Sequence, residues 1–296
     1  MLLEFAKMHG LGNDFMVIDL VTQECAVSEE LARCWGDRRT GVGFDQLLLI
    51  EPPTEPEADF RFRIFNSDGS EVQQCGNGAR CVAWYVAHRE LSPKPELTLQ
   101  TRGGPIVTRL MDDDLVEVDM GLPRTEAAAV PVDPTRADVQ PVADRTATYE
   151  LTHDGATYRF TTVSMGNPHA VLMVENVASA PVDAIGSALV AHPVFPEGAN
   201  IGFCEVVDRG FVRLRVYERG VGETRACGTG ACAAAVAARL LGDVGERVKV
   251  SLPGGKVRIS WQGPGSAVRM LGPASLVYEG RIQAPGPHSS AHQNTP

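Results

Sequence analysis

Cys75-Gly76-Asn77-Gly78-Ala79 and Cys227-Gly228-Thr229-Gly230-Ala231 are two copies of one cassette: a cysteine, a glycine-rich turn and the start of a helical pattern. A small-residue turn running into a helix leaves several backbone N–H groups outside the hydrogen-bond ladder, and the aligned peptide dipoles make that end positive. Such an end holds a carboxylate, and it lowers the pKa of a cysteine placed on it. Two copies 152 residues apart in a 296-residue chain point to paired thiols serving one substrate.

The repeat extends outward from the cysteines. At the same offset Phe65-Asn66 falls on Tyr217-Glu218, Glu71 on Glu223 and Ala83 on Ala235. Gly12-Asn13 with the apolar run after it resembles Gly166-Asn167 with Ala170–Val174, and Gly41-Val42-Gly43-Phe44 resembles Asn200-Ile201-Gly202-Phe203. This pattern predicts an internal duplication: two similar domains with a site at their interface, since ligand sites favour such clefts.

Composition sets the class. The chain has length for two ordinary domains, and 44% hydrophobic residues is a globular value. No apolar run approaches the ~18 residues of a membrane span. The longest candidate, Ala231–Ala238, reads as a buried helix. Acidic Glu4 and the lack of a basic region before a long apolar core argue against a secretory signal, so the expected location is cytoplasmic. A net charge of −10 argues against nucleic acid or another polyanion as partner. Seven cysteines without a secretion signal favour reduced thiols over a disulfide framework. Zinc is disfavoured: along a helix, Cys75/Cys81 and Cys227/Cys232 are turned by roughly 240° and 140°, and neither spacing is that of a structural zinc site.

Alternating and short apolar runs predict strands at 2–7, 15–20, 46–51, 60–65, 97–101, 106–111 and 115–120, with a helix capped by Ser28 through Gly36 and another from Gly76. Pro123, Pro131, Pro134 and Pro141 mark a domain connection or long surface loop. Strands are expected again at 157–163, 170–174, 201–207, 211–217, 248–252, 257–261, 267–271 and 276–278. Many strands around one apolar helix per half predict an α/β fold of the α+β type, each domain a curved, mostly antiparallel sheet wrapped around a central helix. The expected boundaries are 1–122 for the N-terminal domain, completed by a strand near 275–282, 123–274 for the C-terminal domain, and a disordered tail over 283–296.

Two thiols on opposite sides of one carbon suit a stereoinversion. One, as thiolate, removes the α-proton; the other, as thiol, returns a proton to the opposite face. The α-proton is a very weak acid, so the site must stabilise charge spreading onto the carboxylate, and helix-start N–H groups do so without reorganising. No cofactor fingerprint accompanies the pair, so activity without pyridoxal phosphate, metal or nicotinamide is expected. A thiol–disulfide oxidoreductase is the competing class, but no C-x-x-C is present.

Met8-His9-Gly10-Leu11-Gly12-Asn13-Asp14-Phe15, Gln74 to Cys81, Gly166-Asn167-Pro168-His169 and Glu218 to Gly230 together resemble diaminopimelate epimerase, over about residues 1–282. The resemblance implies interconversion of LL- and meso-2,6-diaminoheptanedioate, on the route to lysine and peptidoglycan precursors, by a pair of pseudo-symmetric domains. It implies Cys75 and Cys227 as the acid/base pair, and Gly76, Asn77, Gly228 and Thr229 at the reacting carboxylate. It also implies Asn13, Gln46, Asn66, Asn167, Asn200, Glu218 and Arg219 as substrate contacts, His169 and Glu218 as groups that adjust the thiols, and a homodimer with Tyr278 at its contact. A two-cysteine racemase of proline or hydroxyproline is the near alternative; Asn66 and Glu218-Arg219 favour a substrate with a second amino-acid end. Cys25, Cys34, Cys81, Cys204 and Cys232 read as small core hydrophobes.

Overall fold

The computed structural model describes residues 1–126, 130–143 and 146–284. The chain divides into two compact units, Met1–Val118 with the segment from Pro273, and Asp119–Gly272. The sequence-based division at 122/123 lies a few residues further into the proline-bearing stretch.

In the first unit the order is β1 (Leu2–Gly10), β2 (Asn13–Asp19), α1 (Glu29–Gly36), β3 (Gln46–Glu51), β4 (Phe60–Asn66), β5 (Glu71–Val72), α2 (Gly76–His88), β6 (Glu96–Thr101), β7 (Gly104–Leu110) and β8 (Leu115–Asp119). The second unit holds β9 (Asp138–Ala143), β10 (Thr146–His153), β11 (Ala156–Ser164), β12 (Pro168–Met173), α3 (Val182–Val190), β13 (Asn200–Asp208), β14 (Phe211–Glu218), β15 (Gly222–Thr224), α4 (Gly228–Leu240), β16 (Arg247–Leu252), β17 (Gly255–Ser260) and β18 (Arg269–Pro273). The last strand, β19 (Ser275–Gln283), returns to the first unit and pairs antiparallel with β1.

The two units repeat one set of pairings. β2 is parallel to β3 and β4 to β6, while β3–β4, β4–β5, β6–β7 and β7–β8 are antiparallel. In the second unit β12 is parallel to β13 and β14 to β16, while β13–β14, β14–β15, β16–β17 and β17–β18 are antiparallel. The sheets thus have mixed pairing, with antiparallel contacts in the majority. The register corrects one part of the sequence alignment. Phe15 lies opposite Gln46 and His169 opposite Asn200, so Asn200 corresponds to Gln46 and not to Gly41. The glycine run of 41–44 belongs to the turn before β3, where Gly43 has a positive φ of 71°.

Each sheet is buried on two faces. One packs on the central helix, α2 or α4, whose residues from the first turn to near the last are enclosed. The other is covered by α1, with Trp35 among Phe5, Met16, Leu47 and Phe65, or by α3, with Leu189 among Phe160, Phe195, Ile201 and Phe203. Strands covered twice read as unbroken apolar runs, which is why Leu47–Ile50 does not alternate. α1 starts where expected: the Ser28 hydroxyl accepts the Leu31 N–H at 3.2 Å, with Glu29 and Glu30 against the positive end.

Three expectations are corrected. The stretch from Pro123 to Pro141 is not all loop: Val130 and Val132 are buried in the second core, and Pro141 sits in β9, which pairs with β10. Proline is tolerated where a strand need not donate to a second neighbour. The tail begins later than 283, because Gln283 pairs with Leu2 and the Ala284 N–H donates to the Met1 carbonyl at 2.9 Å; residues 285–296 lie outside the described residues. Cys34 is exposed and not a core residue, while Cys81, Cys204 and Cys232 are buried.

α3 escaped the sequence reading because Gly186 interrupts it and Pro181 supplies no side-chain cap. That glycine is required by packing: a Cβ there would stand 2.4 Å from Tyr217 Cγ. Alanine would gain up to ~1 kcal/mol of helix propensity, but overpacking costs ~1–3 kcal/mol and wins. Gly186→Ala is therefore expected to lower the urea midpoint.

Candidate active site

Both cassette cysteines occupy helix N-caps. Cys75 precedes α2 in extended conformation, and its Sγ accepts the Gly78 N–H at 3.2 Å. Cys227 precedes α4 likewise; its Sγ lies 3.6 Å from Thr229 Oγ1. The first intrahelical bonds run from Ala79 N to Cys75 O and from Ala231 N to Cys227 O, at 2.8 and 2.9 Å. The N–H groups of Gly76 and Asn77, and of Gly228 and Thr229, therefore lie ahead of the helical ladder, where a carboxylate is favoured.

In the first unit the remaining polar residues gather at the ends of β2, β3 and β4. Gln46 Nε2 donates to Asn66 Oδ1 at 3.0 Å, and Asn66 Nδ2 to Ser70 Oγ at 3.1 Å. Gln46 Oε1 is buried with no hydrogen-bond partner among the described residues. Asn13 Nδ2 donates to Asp45 Oδ2 at 3.0 Å, which leaves its Oδ1 toward Asn77 Nδ2 at 3.4 Å. Asp45 is held by Arg38, which forks onto Asp14 at 2.7 and 3.0 Å. Lys7 closes the chain by pairing Asp14 and the Gly43 carbonyl. Burial alone would raise the Asp14 pKa; the Arg38 and Lys7 contacts outweigh it and hold the carboxyl well below the usual range. Sequence reading missed Asp45 and Arg38; the available signal was their position flanking the Gly41–Phe44 turn.

In the second unit His169 is fully buried, with Nε2 3.2 Å from Asn167 Oδ1 and 3.0 Å from Thr229 Oγ1. Desolvation pushes its pKa down to about 3, so the ring is neutral near pH 7. The Asn200 side-chain oxygen accepts the Arg219 N–H at 2.9 Å. Arg219 itself is exposed and donates to the Glu197 carbonyl, across a turn in which Gly198 has φ of 70° and no room for a Cβ beside Arg219 Cδ. Glu218 accepts the Thr224 hydroxyl, a second partner not foreseen.

The sequence expected a helix start to lower the thiol pKa. For Cys227 the outcome is the reverse. Its thiol is raised well above the ordinary value by burial first and the Glu218 carboxylate second, against the smaller opposing pull of Thr229 and the Gly230 N–H. Burial also drives Cys81 and Cys204 up to about 12, as inert core thiols.

Tyr278 on β19 is exposed and stands edge-on to Phe5, ring centroids 6.0 Å apart. Two open grooves of about 580 and 430 Å³ share Thr157, Arg159 and Met173 on β11 and β12, and neither is lined by a cassette residue. Among the described residues no group of three or more His, Cys, Asp or Glu is placed to hold a metal ion. No described helix is long and apolar enough to cross a membrane.

The fold is shared with solved structures of low sequence identity. A hydroxyproline epimerase from Agrobacterium vitis superposes with a TM-score of 0.64 at 16% identity, covering 95% of this chain and 92% of that one. A phenazine biosynthesis protein of the PhzF family from Bacillus anthracis gives 0.64 at 17%, covering 96% and 99%. The fold is that of these proteins. The family model for diaminopimelate epimerase matches residues 5–126 and 161–277. Diaminopimelate epimerases from Ectopseudomonas mendocina and Azotobacter vinelandii are each 54% identical over 283 residues, 96% of this chain and 100% of theirs. The chain belongs to the diaminopimelate epimerase family.

Neutral His169 has a consequence for stability. An unfolded histidine takes up its proton near 6.5, whereas the folded one resists to about 3. The unfolded state thus binds more protons between those values, and stability falls as pH drops through that window, by up to ~1.4 kcal/mol per unit. Denaturant titrations of wild type and His169→Gln between pH 7 and 4 are expected to differ in slope by this contribution.

Proposed function

We propose that this chain, an isomerase by its family, interconverts LL- and meso-2,6-diaminoheptanedioate with Cys75 and Cys227 as its acid/base pair and without pyridoxal phosphate, metal or nicotinamide. The observation that carries the reading is the pair of helix N-caps, each a cysteine at the start of a central helix, in a chain more than half identical to diaminopimelate epimerases along its length.

One thiolate takes the α-proton and the other thiol delivers a proton to the opposite face. The N–H groups of Gly76, Asn77, Gly228 and Thr229 receive the charge that develops on the carboxylate. High desolvation and the Glu218 carboxylate favour Cys227 as the proton-carrying thiol of the resting enzyme. Neutral His169, through Thr229, holds the Cys227 turn without adding charge. Asn13, Gln46, Asn66, Asn167, Asn200, Glu218 and Arg219 recognise the amino and carboxyl groups of the substrate; the guanidinium matches a carboxylate with two parallel bonds. A homodimer through β19 is supported by the exposed neighbours Val277 and Tyr278 on that strand. A cytoplasmic biosynthetic role toward lysine and peptidoglycan precursors accords with this substrate.

Incubation with LL-diaminopimelate in deuterated water, followed by NMR, should show meso product carrying α-deuterium. Cys75→Ala and Cys227→Ala should each abolish inversion while retaining wild-type circular dichroism. Near-normal turnover of either variant would exclude the two-thiol scheme. The role of Glu218 is tested separately. Removing its charge with Glu218→Gln should shift the pH profile of Cys227 alkylation to lower pH, read by mass spectrometry in a Cys75→Ser background.

A further inference from the structure

Each cassette follows a short hairpin, and each hairpin carries the same side-chain fork. On β4 and β5, Arg63 Nε and Nη2 donate to the two Glu71 oxygens at 2.9 and 3.2 Å. On β14 and β15, Arg215 Nε and Nη2 donate to the two Glu223 oxygens at 2.6 and 2.7 Å. The registers agree as well, with Phe65 opposite Glu71 and Tyr217 opposite Glu223.

We infer that Arg63–Glu71 and Arg215–Glu223 are matched positioning pairs, each fixing where the chain enters the cysteine cassette that follows it. This rests on the two-thiol reading above. The backbone anchor at this point is slight: β5 pairs with β4 at two positions and β15 with β14 at three. Only two residues separate Val72 from Cys75, and two separate Thr224 from Cys227. A slip of either hairpin therefore passes directly to the N-cap sulfur. The forks are suited to prevent it. Both are mostly buried, the four side chains being between 15% and 25% exposed, and a planar two-pronged pair fixes direction as well as distance. Arg215 is further locked by the carbonyls of Val177 and Ala180, each at 3.1 Å, and Arg63 by Glu51 at 3.4 Å. The forks sit at the cassettes' own offset of 152 residues, while the neighbouring positions Asn66 and Glu218 differ. None of these four residues is a substrate contact in the reading above; they act through the cysteines.

The test is stereochemical. In a two-thiol enzyme each cysteine removes the proton from one stereoisomer, so Cys75→Ser and Cys227→Ser should silence α-proton exchange from opposite isomers. Exchange into deuterated water is measured by NMR for LL- and meso-diaminopimelate separately. Glu71→Gln is expected to slow exchange from the isomer that Cys75→Ser silences, and Glu223→Gln from the other. The loss should be about ten- to a hundred-fold in kcat, the scale of a displacement near 1 Å, with KM little changed. Arg63→Lys and Arg215→Lys, which keep the charge and lose the fork, should reproduce the same selectivity, and thermal melting checks that each variant is folded. Equal losses from both isomers, or no loss, would overturn the positioning role. Cysteine controls that show no isomer selectivity would instead overturn the two-thiol reading itself.

Discussion

In each unit a helix is enclosed on nearly every side, and the rest of the architecture follows from that constraint. A sheet on one face would leave half of such a helix in water, so the strands curve around it. The helix then lies so close to them that small residues are forced. A Cβ on Gly78 would stand 3.1 Å from Leu48 Cδ2, and one on Gly230 would stand 3.0 Å from Val216 Cγ2. Ala79 and Ala231, the next residues, have no exposed surface. The cassette is therefore shaped by packing at its second glycine.

The same enclosure governs the electrostatics. A helix N-terminus is worth a fraction of a charge, whereas removing a thiolate from water is a larger penalty. At Cys227 the second effect wins and Glu218 adds to it, so the protonated form is favoured. His169 obeys the same balance with opposite sign of charge and becomes neutral. The two cysteines are alike in backbone and unlike in surroundings. Cys75 is half-buried and corresponds to a cassette near Asn66, Cys227 is buried and faces a carboxylate.

Much of this was legible in the chain. The strands of the paired β2–β4 and β12–β14 sets showed as apolar runs, and α1 showed through its cap and first-turn acids. The duplication was visible because loops changed length little between Asn66 and Cys75 and between Glu218 and Cys227. Elements without a clear local pattern were not legible. β9 carries a proline inside its pairing with β10, and α3 contains a glycine whose reason is the ring of Tyr217. Matching Gly41–Phe44 with Asn200–Phe203 was a register error, since local likeness of glycines outweighed a strand pairing that sequence does not display.

The sequence by itself determined where a cysteine meets a glycine-rich helix start, twice over: that is a local pattern, and local patterns are carried by adjacent residues. Tertiary structure alone decided how each group behaves. Asn13 is oriented by Asp45, thirty-two residues away, and Thr229 is tied to His169 across sixty. The sign of the Cys227 shift depends on how much water the folded chain excludes. Hydrogen-bond direction and desolvation are set by neighbours in space, and those neighbours are assembled only when the sheets close around their helices.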